Sequence, residues 1–409
     1  MARKLFVLVV LVAMLAGFAP SHSLAQDVQT IRYFNFSSDP DHIADLQSII
    51  DAFQAENPTI KVEVTSAAYA DYFTLLQGDF AGGDPPDVFE LNYENFVSYA
   101  ANDVMLDLSS YISADAPYYP RALEAFQYDG KQLALPETFS TVLLFYNKDL
   151  FDQAGVEYPT AEWTWDDAMV AAKAIRALGE DIWGIYSPIQ FWEFYKKAAQ
   201  NNCAFLNEDK SESTINSPEC VAALETMMSF VNEDVMPDPV ELGGLANETL
   251  FENGQLGMVV IGIWQFAAFA DAPFAWDIQL EPGMAQKGHH FFSNGVAVSK
   301  DTGYPEAAAA FAQYLTASEK AATVRVETGW ELSALDKPEY FEAYLEQTPP
   351  DNREAVFQAL ESPVTPPVIE RQQEMQDAIG AVLDAVQMGE LDPQTALDTA
   401  KEEIDALLQ

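Results

Sequence analysis

Between Thr30 and Leu91 three short strand-like runs alternate with two amphipathic stretches, and this rhythm constrains the fold more than any other feature of the chain. "TIRYFNF" alternates apolar and polar residues as a half-buried strand does. Ile43, Leu46, Ile49, Ile50 and Phe53 then recur at helical spacing, and Asn57-Pro58 ends that helix. "IKVEVTSA" is a second alternating run. Tyr72 to Phe80 reads as a helix stopped at Gly82-Gly83, and "PDVFEL" is a third strand. Strand, helix, strand, helix, strand is the order of a layered α/β lobe, because each strand must be covered by the helix that follows it.

The same alternation continues with one interruption. In "GKQLALPETFSTVLLFYNKDLF" two apolar runs flank Pro136-Glu137-Thr138, and Val142 to Tyr146 is strand-like. Thr164 is placed to cap the helix "WDDAMVAAKAIRAL", and "IWGIYS" follows as a strand. Ser217 caps and Pro218 opens "ECVAALETMMSFV". "GQLGMVVIGIW", continuously apolar and bounded by glycine, suits a strand covered on both faces. "NGVAVSK" is a later strand, and 304–327 reads as helix. Two helices close the chain. Met375, Ile379, Val382 and Val386 line the first, which stops at Gly389; Asp392 and Pro393 open the second, with Leu397, Ala400, Ile404 and Leu407 on one face. At 409 residues the chain exceeds what one core usually supports, so two lobes are expected. Its nearest approach to a linker is "QTPPDNR" at 347–353. Two lobes without a linker imply that the chain crosses between them more than once.

Arg3 and Lys4, an apolar stretch from Leu5 to about Phe18, and Ser23-Leu24-Ala25 before a cut form the pattern of a secretory signal peptide over residues 1–25. The apolar stretch is shorter than a membrane span. The expected mature chain is therefore periplasmic or extracytoplasmic, with no membrane-spanning segment. There are 20 basic and 64 acidic residues, a formal net charge of −44. That balance argues against nucleic acid and anionic membrane surfaces as partners, and it reads as a solvated acidic surface. Cys203 and Cys220 are a disulfide candidate in an exported protein; two buried thiols are the alternative. No further Cys or clustered His completes a zinc site, so no metal and no cofactor is expected.

Ligands of an open α/β sheet sit beyond the carboxyl ends of its strands. The first strand here ends in Asn35, Phe36, Ser37, Ser38 and Asp39. The second leads to Tyr69 and Tyr72, and the third ends in Glu90, Asn92 and Tyr93. The interrupted segment carries Glu137 and Thr138. "IYSPIQFW" ends in Gln190 and Trp192, and "VVIGIW" in Trp264 and Gln265. An aromatic ring beside a carboxylate or amide suits a sugar, whose C–H face packs on the ring while its hydroxyls donate to the polar groups. The same set suits a polyamine, whose ammonium groups pair with carboxylates and rest over ring faces. Core packing is the plain reading of any one of these aromatics. Glu90 and Glu137 can also be posed as the paired carboxylates of a secreted carbohydrate-active enzyme, a weak signal among 64 acidic residues. No HExxH, GxSxG or phosphate-cradling glycine pattern is present. His289-His290 is a metal pair or a plain surface loop, and adjacent side chains that point apart favour the loop. Tyr118-Tyr119, before "PRALEAF", reads as packing rather than as an iron-binding pair.

In this order, "AGGDPPDVFEL", "GKQLALPETFSTVLLFYNKDLFDQAGVEYPTAEWTWDDAM", "FLNEDKSESTINSPECVAALETM", "LFENGQLGMVVIGIWQF", "SNGVAVSKDTGYPEAAAAFAQYLT" and "GELDPQTALDTAKEEIDALL" resemble the extracellular solute-binding proteins of bacterial ABC importers, in the maltose-binding-like, sugar-binding cluster. The resemblance implies a periplasmic-binding-protein-like fold. Residues 27–139 with 293–328 would form one α/β lobe and 140–292 with 329–409 the other. It places hinge crossings at Glu137 to Thr141, before "NGVAVSK", and near Trp330. It also implies ligand contacts at Asn35, Ser37, Asp39, Glu90, Asn92, Glu137, Trp192, Trp264 and Trp330, and Tyr69 joins them from the strand-end reading. Asn294-Gly295 belongs to that set too, standing where relatives often carry two glycines. The implied partners are a small solute, a sugar first, and the permease subunits of the transporter. The implied molecule is a monomer that binds its solute without turning it over.

Overall fold

A computed structural model describes residues 28–113 and 116–409; the expected signal peptide lies outside the described residues. In chain order the strands are β1 (Gln29–Asn35), β2 (Ile60–Ser66), β3 (Val88–Asn92), a short hairpin of β4 (Gln127–Tyr128) and β5 (Lys131–Gln132), β6 (Ala134–Ser140), β7 (Val142–Asn147), β8 (Trp183–Tyr186), β9 (Leu256–Gly262), β10 (Trp276–Gln279), β11 (His289–His290), β12 (Phe292–Val298), β13 (Leu332–Ser333) and β14 (Pro363–Val364). Two sheets organise the molecule. One runs β13-β6-β12-β3-β1-β2 and the other β10-β7-β9-β8. In the first, β1 is parallel to β2 and β3, whereas β12 is antiparallel to both β3 and β6.

The helix Pro40–Glu56 shows why the first sheet is covered. Proline sits in its first turn, where no amide hydrogen is needed, and Leu46, Ile49, Ile50 and Phe53 form its buried face. That face packs with Ile31 and Tyr33 of β1 and with Phe311 and Leu315 of a later helix. In the second sheet all seven residues of β9 are buried. Met258 and Val260 enter a core with Ala171, Ile175 and Leu224, while Val259 and Ile261 enter another with Phe145, Phe251 and Phe269. Alternation of side chains across the strand thus feeds two apolar layers. The terminal helices Gln372–Gln387 and Pro393–Leu407 close over the first of these layers.

The chain passes between the sheets three times. Thr141 alone separates β6 of the first sheet from β7 of the second. A return runs from β10 to β12. The third passage is later than expected. β13 is hydrogen-bonded to β6, so 332–333 lie on the first sheet and not beyond the boundary drawn at 329. The backbone amide of Asp336 still donates to Pro117, whereas that of Asn352 donates to Asp277 of β10 in the second sheet. Pro136 does not interrupt β6 either. It stands opposite Gly295 where the register with β12 shifts, a place where the ladder has no need of its missing amide hydrogen.

Cys203 and Cys220 are joined, linking the loop after Phe191–Gln200 to the first turn of Pro218–Asn232. The bridge closes a loop with a sequence separation of 17. Loops of this size restrict the unfolded chain enough to contribute about 3 kcal/mol. Reduction is expected to lower the melting temperature of the protein by several degrees, and Cys203→Ser/Cys220→Ser should melt where the reduced protein does. Equal melting with and without reductant, followed by calorimetry, would contradict this.

Candidate functional site

A cleft of about 350 Å³ lies where the two sheets face each other. On the side of the first sheet it is walled by Phe36, Ser37, Ser38 and Asp39 from the turn after β1 and by His42 and Tyr69 from the starts of two helices. Asn92 and Glu94 at the end of β3, Asn294 of β12, and Trp330 and Glu331 complete that side. Trp192, Trp264 and Phe292 approach from the other side, and Ser140 lies at the first crossing.

Asn92 shows how a buried strand ends in polar groups. It is the N-cap of Tyr93–Ala101, and its Oδ1 accepts from the Asn95 amide at 3.2 Å. Its Nδ2 donates to the Tyr69 hydroxyl at 2.7 Å, and that hydroxyl donates onward to Glu94 at 3.3 Å. Burial pushes the Glu94 carboxyl up to about 7, although its own backbone amide and Tyr69 favour the ionised form. Beside Asn92 in the neighbouring strand, Asn294 donates to Glu331 at 3.2 Å. Burial raises Glu331 to about 7 as well, reinforced by the charge of Glu137. Trp330 is held flat against His42, ring centroids 4.7 Å apart, and the Arg325 guanidinium lies 4.8 Å from its centre.

The opposite wall has a different support. Trp264 follows Gly262 so closely that a Cβ on Gly262 would fall 1.9 Å from the indole, so only glycine leaves the ring its place. Phe292 stacks on His290 at 4.6 Å, and Trp192 lies 6.0 Å from the same imidazole. Behind them is a wholly buried ionic cluster. Lys196 pairs with both Glu193 and Glu281, and Lys197 reaches Glu193 at 3.5 Å. Burial disfavours an ionised Glu193, but Lys196 and Lys197 outweigh it and hold the carboxyl well below its usual range. Tyr195 and the His290 Nδ1 share a hydrogen bond of 3.1 Å. The Thr141 hydroxyl donates to the His290 carbonyl at 2.6 Å, tying the first crossing to the second.

Of the residues named from sequence, Ser37, Asp39, Tyr69, Asn92, Trp192, Trp264, Asn294 and Trp330 meet around one cavity. Asn35, Glu90, Glu137 and Gly295 lie behind it. Asn35 accepts from the Ser37 amide at 3.0 Å and shapes the turn. Glu90 accepts from the Phe36 amide at 3.2 Å, and Glu137 is paired with Arg325 in the interior. Neither carboxylate is among the residues that line the cavity. Gly295 is needed for packing, since a Cβ there would come within 2.8 Å of the Phe126 ring. The surface-loop reading of His289-His290 is corrected. Both are buried, form β11 and pair with β14, and burial holds them neutral, at about 3 and about 4. Among the described residues no cluster of His, Cys, Asp and Glu is arranged to hold a metal ion. His42, Glu94, Ser140 and Phe292 were not singled out from sequence. Glu94 had the one available signal, two positions after the cap at a strand end.

The model of the bacterial extracellular solute-binding protein family matches residues 39–322, and the chain belongs to that family. An ABC substrate-binding protein of Listeria monocytogenes, solved in complex with cycloalternan, is 46% identical. It superposes with a TM-score of 0.90 over 93% of this chain and 99% of its own. Maltose-bound MalE3 of T. maritima shares the fold at 19% identity, with a TM-score of 0.80 over 93% of this chain and 100% of that one. The galactooligosaccharide-binding protein of Bacillus subtilis is 24% identical over 370 residues, 87% of this chain and 85% of that protein. A putative binding protein of Brucella abortus is 24% identical over 225 residues, and the chain spans about half of its length, 52%. The fold is therefore the two-lobed, periplasmic-binding-protein-like one.

Two outcomes follow from the site. The raised Glu331 pKa means that the folded protein holds this proton more tightly than the unfolded chain does. That stability is present below the ordinary carboxyl range and is lost as pH rises through about 7. Glu331→Gln removes the cost, about 3 kcal/mol. The variant should melt above the parent at pH 8 and with it at pH 5; a melting difference independent of pH would count against the buried carboxylate. Gly262→Ala should displace the Trp264 ring and change its fluorescence while circular dichroism stays that of the parent. An unchanged emission spectrum would mean that the ring does not depend on Gly262.

Proposed function

We propose that this chain is the extracytoplasmic binding component of an ABC importer, that it takes an oligosaccharide into the cleft between its lobes, and that it delivers it to the permease. The observation that carries the reading is the composition of one cavity. Trp192 and Trp264 from one lobe and Trp330 from the other share it with the acceptor groups of Asp39, Asn92, Glu94 and Glu331. Rings bind the apolar faces of sugar units and the oxygens take their hydroxyl hydrogens. The complex of the Listeria monocytogenes relative with cycloalternan supports cycloalternan as the first ligand to try. Among the described residues no helix is long and apolar enough to cross a membrane, consistent with a partner that supplies the pore.

Binding energy in this reading is spent on closing the lobes about Thr141 and the two other passages. A solute that touches both walls binds the closed form better and shifts the population toward it, and the permease responds to that form. No group transfer is required of any residue. A cationic solute is the second reading, because three carboxylates and, among the described residues, no lysine or arginine line the cavity.

Thermal-shift measurements on the mature protein test both readings. A saturating ligand at 100 times its dissociation constant adds about 2.7 kcal/mol to stability. Cycloalternan, maltotriose or a galactooligosaccharide should raise the midpoint by several degrees and spermidine should not. A rise with spermidine alone would replace the first reading by the second. Trp264→Ala should weaken saccharide binding by roughly tenfold or more while the unliganded protein melts near the parent. Loss of the unliganded fold would instead place Trp264 in the core.

A further inference from the structure

The cavity has an unbalanced electrostatic wall. Asp39, Glu94 and Glu331 line it, and among the described residues no lysine or arginine does. The cations nearby are already committed. Arg325 is paired with Glu137 and lies over Trp330, and Lys196 and Lys197 are buried with Glu193 and Glu281 behind the opposite wall. His42 is stacked on Trp330 with its Nδ1 3.8 Å from Asp39, and burial disfavours its charged form although the Asp39 charge favours it.

Resting on the saccharide reading, we infer that Glu94 and Glu331 are specificity-determining residues that admit uncharged oligosaccharides and reject those carrying a carboxylate or phosphate. Each has one oxygen already held by a neutral donor, the Tyr69 hydroxyl for Glu94 and the Asn294 amide for Glu331. The remaining acceptor capacity suits a sugar hydroxyl, which brings its own hydrogen. An acidic group brings none, and it adds a like charge in a confined, poorly screened space, the repulsive element that discrimination between similar ligands needs.

The discrimination is set by pH. Glu331 is faced by Asn294 of β12, Glu137 of β6, Glu90 of β3 and Arg325 of the helix Glu319–Thr328. Glu94 is faced by Tyr69 and, from the other lobe, by Tyr195. Burial raises both carboxyls to about 7, so they are largely ionised at pH 8 and largely protonated near pH 5.5. An acidic saccharide keeps its charge at both values. Rejection is therefore strong at the higher pH and weak at the lower one.

Titration calorimetry with matched pairs tests the inference. The neutral probes are cycloalternan, maltotriose and a galactotriose, each set against its own derivative with a single hydroxymethyl group oxidised to the carboxylate. At about pH 8 the neutral member that binds should do so at least about 100-fold more tightly than its acidic partner, and at about pH 5.5 the ratio should fall at least about tenfold. In Glu94→Gln/Glu331→Gln the ratio at pH 8 should fall by a similar factor. Acidic and neutral members binding within about threefold at pH 8 would overturn the inference, as would a large ratio that neither pH nor the double variant changes. Should the double variant not fold, the pH arm on the parent protein decides alone. Binding by no neutral member would remove the saccharide reading itself, and the inference with it, a result distinct from failed discrimination.

Discussion

Every wall of the cleft depends on satisfying buried polar groups at the places where strands run out of covering helix. An unpaired buried donor or acceptor costs about 1–3 kcal/mol, so the ends of β1, β3 and β12 are fixed by their hydrogen bonds as firmly as their middles are by apolar contact. Asn35 and Glu90 hold the turn after β1 by accepting from the Ser37 and Phe36 amides. Asn92 caps a helix and orients Tyr69, which orients Glu94. The residues that face the cavity are thus set by a second layer that never reaches it.

The two lobes solve this problem differently. Around the end of the first sheet the supports are amides, hydroxyls and one ion pair, and the carboxylates left over face the cavity. Behind Trp192 and Phe292 the support is a closed ionic cluster of two lysines and two glutamates with a neutral imidazole beside it. Buried pairs of this kind contribute little net stability, yet losing one partner leaves a charge without solvent. Such a cluster makes the position of an aromatic wall hard to vary. The hydrogen bond from Thr141 to the His290 carbonyl ties that cluster to the passage between the two sheets.

Much of the fold was legible because it is written in local terms. Strand-like and helical patterning located β1, β2 and β3 with their helices, and a continuous apolar run located β9. Caps at Thr164, Ser217 and Asp392 marked helix starts, and each accepts the expected amide. The rule that ligands gather beyond strand ends found eight of the cavity's residues. It did not show that Glu90 and Glu137 lie behind the cavity, because nothing local separates a carboxylate aimed outward from one turned inward to an amide or an arginine. Arg325, which captures Glu137, is 188 residues away. The loop reading of His289 and His290 failed for the same reason, since their cover includes β14 and Tyr195, both remote in the chain.

The sequence by itself determined the layered α/β class, the order of strands and helices, and the expectation of repeated crossings, because periodicity, caps and the lack of a linker act between near neighbours. Only the tertiary structure decided which of many acids face the cavity, that two lysines and two histidines are interior, and that three tryptophans from distant segments share one space. Those outcomes rest on burial and on pairing between residues remote in the chain. A charged side chain has no fixed destination until the fold supplies, or withholds, its partner.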